Sequence, residues 1–376
     1  MNRRQFLLAA GAVSASLALP AAASTVSTPH RPSKAGSIWV DAQGAVGGFE
    51  PAGEGKVVLA QRLIDAIRQR RIDLISFTIA DVGNGPDRFS GAVEAITYWD
   101  QLIREHSKWF VKIQSVADIR AAREAGKLGL IYNFQDTTPF ESDAGRVATF
   151  ATLGIRVMQL TYNKRNLAGE GCLERANAGL SDFGREVIAK INEANVLLDL
   201  SHAGQRTIAE SIAESKAPLA ITHSGCRALV DLPRNVHDAE LRALADKGGV
   251  FGVYLMPFLR AKDQPVAEDL IRHLVHAVNV CGEDHVGIGT DNPLLGYTVN
   301  DETRKRHREV HAERTKRGFA APGESPDVLN LVEGYNSVDR YDLLAADLRK
   351  QGWTTARIDK VLGGNFVRLF REVWKA

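Results

Sequence analysis

The chain has 376 residues, 44% of them hydrophobic and 24% charged, and a formal net charge of +2. This is a globular composition of a length that suits one α/β barrel, and the near-neutral balance gives no reason to expect nucleic acid or an anionic membrane as a partner. Cys172, Cys226 and Cys281 are widely spaced and odd in number, which excludes a disulfide framework and a CxxC metal knot.

The chain opens "MNRRQFLLAAGAVSASLALPAAAS". Arg3-Arg4, an apolar run and the small residues Ala21-Ala22-Ala23 read as a twin-arginine export signal over residues 1–23, cleaved near Ser24. Such a leader sends a folded protein to the periplasm or otherwise out of the cytoplasm. Its removal takes two arginines and no acid, leaving the remainder neutral. Residues 24–36, rich in Ser, Thr and Pro, read as a flexible lead-in, and 37–376 as one barrel domain. No later stretch approaches the roughly 18–20 apolar residues that a spanning helix needs.

Eight short apolar runs then follow as predicted strands: 37–44, 73–81, 128–136, 155–163, 196–204, 218–225, 249–257 and 285–292. Near-continuous apolar runs suit parallel strands buried on both faces. Between them, 55–71, 180–194 and 238–248 carry apolar residues at helical spacing, and 115–129 opens on a Ser115 cap and closes at a glycine. Eight strands alternating with helices predict an α/β fold of the (β/α)8 TIM-barrel type. An open doubly wound sheet is the alternative, but no GxGxxG turn follows the first strand. Residues 297–335 are charge-dense and read as a solvated excursion over the rim, with His307 and His311 not expected to bind metal among so many cations. The C-terminal segment reads as a helix-turn-helix broken at Gly363-Gly364.

In a barrel the chemistry sits at the C-terminal strand ends. There the runs end in Asp41 and Gln43, Asp81, Gln135 and Asp136, Tyr162 and Asn163, Asp199 and His202, His223, and Asp291. Two strand-end histidines with Asp291 are metal-ligand types on one rim, suited to Zn²⁺ with a position left for water. The plain alternative is a pair of capping or core histidines. Cys172, His273, His276, Trp39 and Phe77 read as structural residues.

The segments "LTYNKRN" and "GLSDFGREVIAKINEANVLLDLSHAGQRT" (160–207) and "ITHSGCRALVDLPRN" (221–235) resemble the membrane dipeptidase, or renal dipeptidase, family of the amidohydrolase superfamily. "HVGIGTDN" and "VLGGNFVRLFREVW" resemble its eighth-strand and C-terminal motifs. The resemblance implies a barrel hydrolase that cleaves dipeptides with two zinc ions bridged by a glutamate and a hydroxide. It assigns His202 and His223 to one zinc, Asp291 to metal binding and proton handling, and Arg234 to the substrate carboxylate.

This chain departs from the pattern at the first metal. Gln43 and Ala45 replace a His and an Asp, Gln135 replaces the bridging Glu, and Tyr162 replaces a substrate-contacting His. The set that remains predicts one Zn²⁺ rather than two, held by His202, His223 and Asp291, with Asp41 an alternative ligand. Asp291 is the expected general base, and Arg234, Tyr162, Gln135 and Asn163 the expected substrate contacts. The expected partner is a dipeptide or related small amide, and a homodimer is compatible with the sequence. Two other readings are a non-catalytic protein that binds such a ligand, and a redirected enzyme using Asp41, Gln135, Asp136 and Tyr162.

Overall fold

The eight apolar runs become eight parallel strands in a computed structural model that describes residues 37–53 and 56–375. The export signal and the whole lead-in lie outside the described residues. The strands are β1 (Val40–Asp41), β2 (Leu74–Thr78), β3 (Leu128–Phe134), β4 (Ile155–Gln159), β5 (Leu197–Asp199), β6 (Ala220–Ser224), β7 (Val250–Val253) and β8 (Val286–Ile288). Each pairs in parallel with the next. The circle closes where Ala42 N–H donates to the Ile288 carbonyl at 3.0 Å and Asp291 N–H to the Gln43 carbonyl at 2.7 Å. With helices between successive strands, the fold is the expected (β/α)8 barrel.

Side-chain alternation sorts the core into two sets. Along β3, Leu128, Leu130, Tyr132 and Phe134 join the larger cluster under the helices, whereas Ile131 joins Leu74, Val157, Leu197, Ala220 and Val250. Same-height residues from six strands meet only inside the barrel. Phe366 and Phe370 of the last helix, Asn365–Val373, pack on that inner set and close the N-terminal end. Above it lies a polar layer in which Asn133 Nδ2 donates to Gln43 Oε1 at 2.9 Å and to Ser76 Oγ at 2.8 Å. Polar side chains at the other end of the barrel therefore rest on a hydrogen-bonded polar layer rather than on the apolar core.

Close backbone approach fixes β6, the strand that carries His223. A Cβ on Gly252 would sit 1.9 Å from the Thr222 carbonyl oxygen, and one on Gly289 would sit 2.1 Å from the same atom. Gly252→Ala is accordingly expected to destabilise the barrel by about 1–3 kcal/mol, seen as a lower thermal midpoint. A variant melting with the wild type would contradict this.

Some elements differ from the sequence reading. The helix predicted from residue 55 begins at Gln61, after an antiparallel hairpin of Phe49–Pro51 with Val57–Leu59. Its β-branched Val57 and Val58 favour the extended chain. A further strand, Phe110–Lys112, pairs with the start of β3. Ser115 caps the helix Val116–Glu124 in a capping box with Asp118, and Gly126 follows its end at a φ of 66°. The C-terminal segment forms Arg340–Lys350 and then Thr355–Asp359, which runs through a wide turn at Lys360–Gly364 into the last helix.

The charged excursion is a rim helix, Asp301–Lys316, capped by Asn300 and with no buried residue. No helix among the described residues is long and apolar enough to cross a membrane.

Candidate functional site

His202 and His223 meet above the polar layer. His223 lies within β6, whereas His202 lies in the turn after β5 at a left-handed φ of 63°, a conformation uncommon outside glycine. Both side chains are buried, and their Nε2 atoms stand 2.9 Å apart.

Their other ring nitrogens are already committed. Asn163 Oδ1 lies 2.6 Å from His202 Nδ1, and because the Asn163 amide nitrogen donates to the Phe319 carbonyl at 2.7 Å, this oxygen accepts from the ring. On the other side, Thr222 Oγ1 donates to Asp199 Oδ2 at 2.5 Å and so accepts from His223 Nδ1 at 2.9 Å. Asp199 is itself held by the Ser201 and Thr222 amides and by Ser201 Oγ. Burial, with the Arg234 charge beside them, holds both imidazoles well below the usual histidine range, so both are neutral at pH 7.

Both rings therefore carry the proton on Nδ1 and turn the Nε2 lone pairs toward each other. Two facing lone pairs are an arrangement that one cation would satisfy. Imidazole nitrogens on one tetrahedral zinc lie about 3.3 Å apart at ordinary bond lengths, close to the separation here. Second-neighbour hydrogen bonds that fix the tautomer are what a metal-binding histidine requires. The pair fits one divalent ion.

It does not fit two. Among the described residues no third His, Cys, Asp or Glu joins the pair in a metal-holding group. Gln135 Nε2, 3.4 Å from His223 Nε2, is a neutral amide. The two other expected ligands are placed differently. Asp41 gives both oxygens to Thr290, accepting from its amide at 2.7 Å and its hydroxyl at 2.6 Å, so it ties β1 to the end of β8. Burial pushes its carboxyl up to about 7 against those bonds and the nearby Arg340 charge. Asp291, at a left-handed φ of 54°, stands in the field of Arg234 and Arg314 rather than in a ligand group with the histidines. Burial raises its carboxyl, and the two arginines oppose the rise.

Asn163, expected to contact substrate, is buried with its amide accepting from His202 and donating to the Phe319 carbonyl. Asp136 accepts from the Gly83 amide and from Thr138. Cys172 is held up at about 11 by burial and is no reactive thiolate. His273 is a buried core residue bonded to the Cys226 amide at 3.0 Å.

Tyr162 stacks on His202 with ring centroids 4.1 Å apart and meets Phe319 edge-on. Arg314 donates to the Tyr162 hydroxyl at 3.2 Å and forks onto Glu324 at 2.7 and 2.8 Å. Arg314, Phe319 and Glu324 come from the excursion and are site residues that the sequence reading missed. The break from a charged helix into "GFAAPGE" (318–324) was the available sign that the chain turns back onto the body there.

Arg234 completes the pocket. It is buried, lies over Tyr254 at 5.5 Å and Phe258 at 5.8 Å, and donates to the His223 carbonyl at 3.3 Å. Among the described residues no carboxylate comes within ion-pair distance of it. Asp291 acts on it by charge without pairing, so its guanidinium still has donors for a ligand carboxylate.

Thr222→Val removes the acceptor that fixes the His223 tautomer while keeping the side-chain shape. Zinc affinity, measured against a competing chelator, is expected to fall about 10- to 100-fold. Unchanged affinity would mean that Thr222 does not orient the ring.

Comparison with known proteins agrees with this architecture. An amidohydrolase of known structure from Pseudomonas aeruginosa is 33% identical, with a TM-score of 0.75 over 90% of this chain and 97% of its own. An uncharacterised protein encoded in the pqqA 5′ region of Klebsiella pneumoniae is 28% identical over 273 residues, 69% of this chain and 88% of that protein. The dipeptidase tcpJ of Claviceps purpurea is 25% identical over 260 residues, and the match spans 53% of its length. The family model for membrane dipeptidase, peptidase family M19, matches residues 64–321, and the chain belongs to that family.

Proposed function

We propose that this chain is an exported hydrolase of dipeptides or related small amides that works with one zinc ion at His202 and His223. The observation that carries the reading is the pair of facing Nε2 atoms beside a buried arginine that has no carboxylate partner. When bound there, a divalent ion supplies the Lewis acidity that activates water and polarises a carbonyl.

The chain's own residues supply the rest. The Arg234 fork takes the substrate carboxylate in a directional, charge-assisted pair. Asp291, whose carboxyl burial raises above the usual carboxylate range, accepts a proton from the attacking water and returns it to the leaving nitrogen. Tyr162 and Phe319 wall the histidines from bulk water. Export follows from the twin-arginine pattern at Arg3-Arg4.

One observation favours a second reading, a binding protein without turnover. Gln43, Ala45 and Gln135 leave the histidine pair with no carboxylate beside it. Purified protein given zinc and a panel of L,L and L,D dipeptides separates the two. Release of free amino acids supports the hydrolase. Saturable binding that depends on Arg234, with no release from any substrate, supports the binder.

A further inference from the structure

Outside Tyr162 and Phe319 lies a cleft of about 270 Å³ whose lining includes Lys164, Arg165 and Arg317 as well as Asn84 and Asn166. The only carboxylate in that lining is Asp136, and its oxygens are taken by Gly83 and Thr138. Arg165 is paired with Glu170. Lys164 and Arg317 have no carboxylate within ion-pair distance among the described residues. They come from separate segments, with Arg317 over the Phe319 ring at 4.7 Å and Lys164 beside Gly318. The cleft therefore carries uncompensated positive charge.

The inner site, in contrast, is balanced, two arginines against two carboxylates. Glu324 is taken by the Arg314 fork, Asp291 faces both arginines, and Gln43 and Gln135 are neutral. A free α-ammonium in the cleft would meet Lys164 and Arg317 before it reached any carboxylate of the inner site. A substrate with a blocked amine and an anionic outer end would complement both regions. Tyr162 is common to both: its ring stacks on His202 and it also lines the cleft.

We propose that the cleft is an anion subsite and that the substrate is an N-acyl amino acid whose acyl group carries its own carboxylate. This rests on the hydrolase reading above. Arg234 takes the amino-acid carboxylate, and Lys164 with Arg317 takes the distal one. Water adds across the amide: the C–N bond breaks, the hydroxyl goes to the acyl carbon and the proton to nitrogen, giving a dicarboxylate and a free amino acid.

The test compares N-succinyl-alanine with its neutral twin N-succinamoyl-alanine and with alanyl-alanine, each with L- and D-alanine at the C-terminal position. The succinyl compound is expected to show about tenfold higher kcat/KM at low salt, with the preference shrinking as salt is added, because the two cations are exposed. Lys164→Glu with Arg317→Glu should abolish the preference and leave the succinamoyl rate unchanged. Equal rates, or a preference for the free amine, would overturn the proposal. If nothing is hydrolysed, the hydrolase reading fails on its own. Calorimetric binding of the succinyl and succinamoyl compounds then decides the subsite, tighter succinyl binding supporting it and equal binding overturning it.

Discussion

His223→Ala is expected to abolish stoichiometric zinc binding and to lower kcat/KM about a thousandfold or more. With only two converging imidazoles, loss of either leaves a single protein ligand. His202→Ala should do the same, and the double variant should be no worse than either single one. That non-additivity separates a shared ion from the plain alternative of two structural histidines. Structural roles would each cost stability through their own partners, His202 through Asn163 and His223 through Thr222, with no dependence on zinc. Some stability is lost in any case, since each imidazole is buried and hydrogen-bonded. The diagnostic readouts are therefore bound zinc and turnover, compared across the three variants under conditions where all remain folded.

Arg234→Met is expected to separate binding from stability. Removing one partner of a buried hydrogen-bonded charge pair costs about 2–5 kcal/mol, so kcat/KM for a substrate with a free carboxylate should fall upwards of about thirtyfold. The free protein should not suffer in proportion. Its guanidinium is buried against Tyr254 and Phe258 and, among the described residues, has no direct ion pair, Asp291 acting on it only through its charge. An apolar chain of similar length relieves that desolvation and keeps the packing. The thermal midpoint should hold or rise while binding collapses. A substrate whose carboxylate is amidated should be turned over poorly by the wild type and lose little further in the variant. If Arg234→Met unfolds the protein, the arginine is a structural element and the assignment fails.

The barrel was legible because its strands are short apolar runs that end in polar side chains. All eight strands fall inside the runs that mark them, and several end before the polar residues that close the run. Asp41 and Asp199, the last residues of β1 and β5, accept from Thr290 just past β8 and from Thr222 in β6. The hairpin near residue 50 and the strand at Phe110–Lys112 are only three residues long per strand, too short for a periodicity to develop.

Within the site, residue type was legible and orientation was not. Tyr162 and Asn163 are adjacent, yet Tyr162 stacks on His202 while Asn163 turns beneath it to hold the ring. Nothing in their order along the chain distinguishes these roles. Arg314 is one of many cations in the excursion, and only the fold shows that it turns inward to Tyr162 and Glu324. The substitutions at Gln43, Ala45 and Gln135 needed no structure to be noticed. The geometry adds what fills their place: Gln43 joins the amide layer with Asn133, and Gln135 stands beside His223 as a neutral neighbour.

Metal analysis of the purified chain after loading with zinc and removal of excess tests the account most directly. About one equivalent of zinc per chain is expected, falling to none in His202→Ala and in His223→Ala, with hydrolysis lost in step. Two equivalents in the wild type, no bound zinc at all, or one equivalent kept by either variant would contradict a single ion held between the two imidazoles.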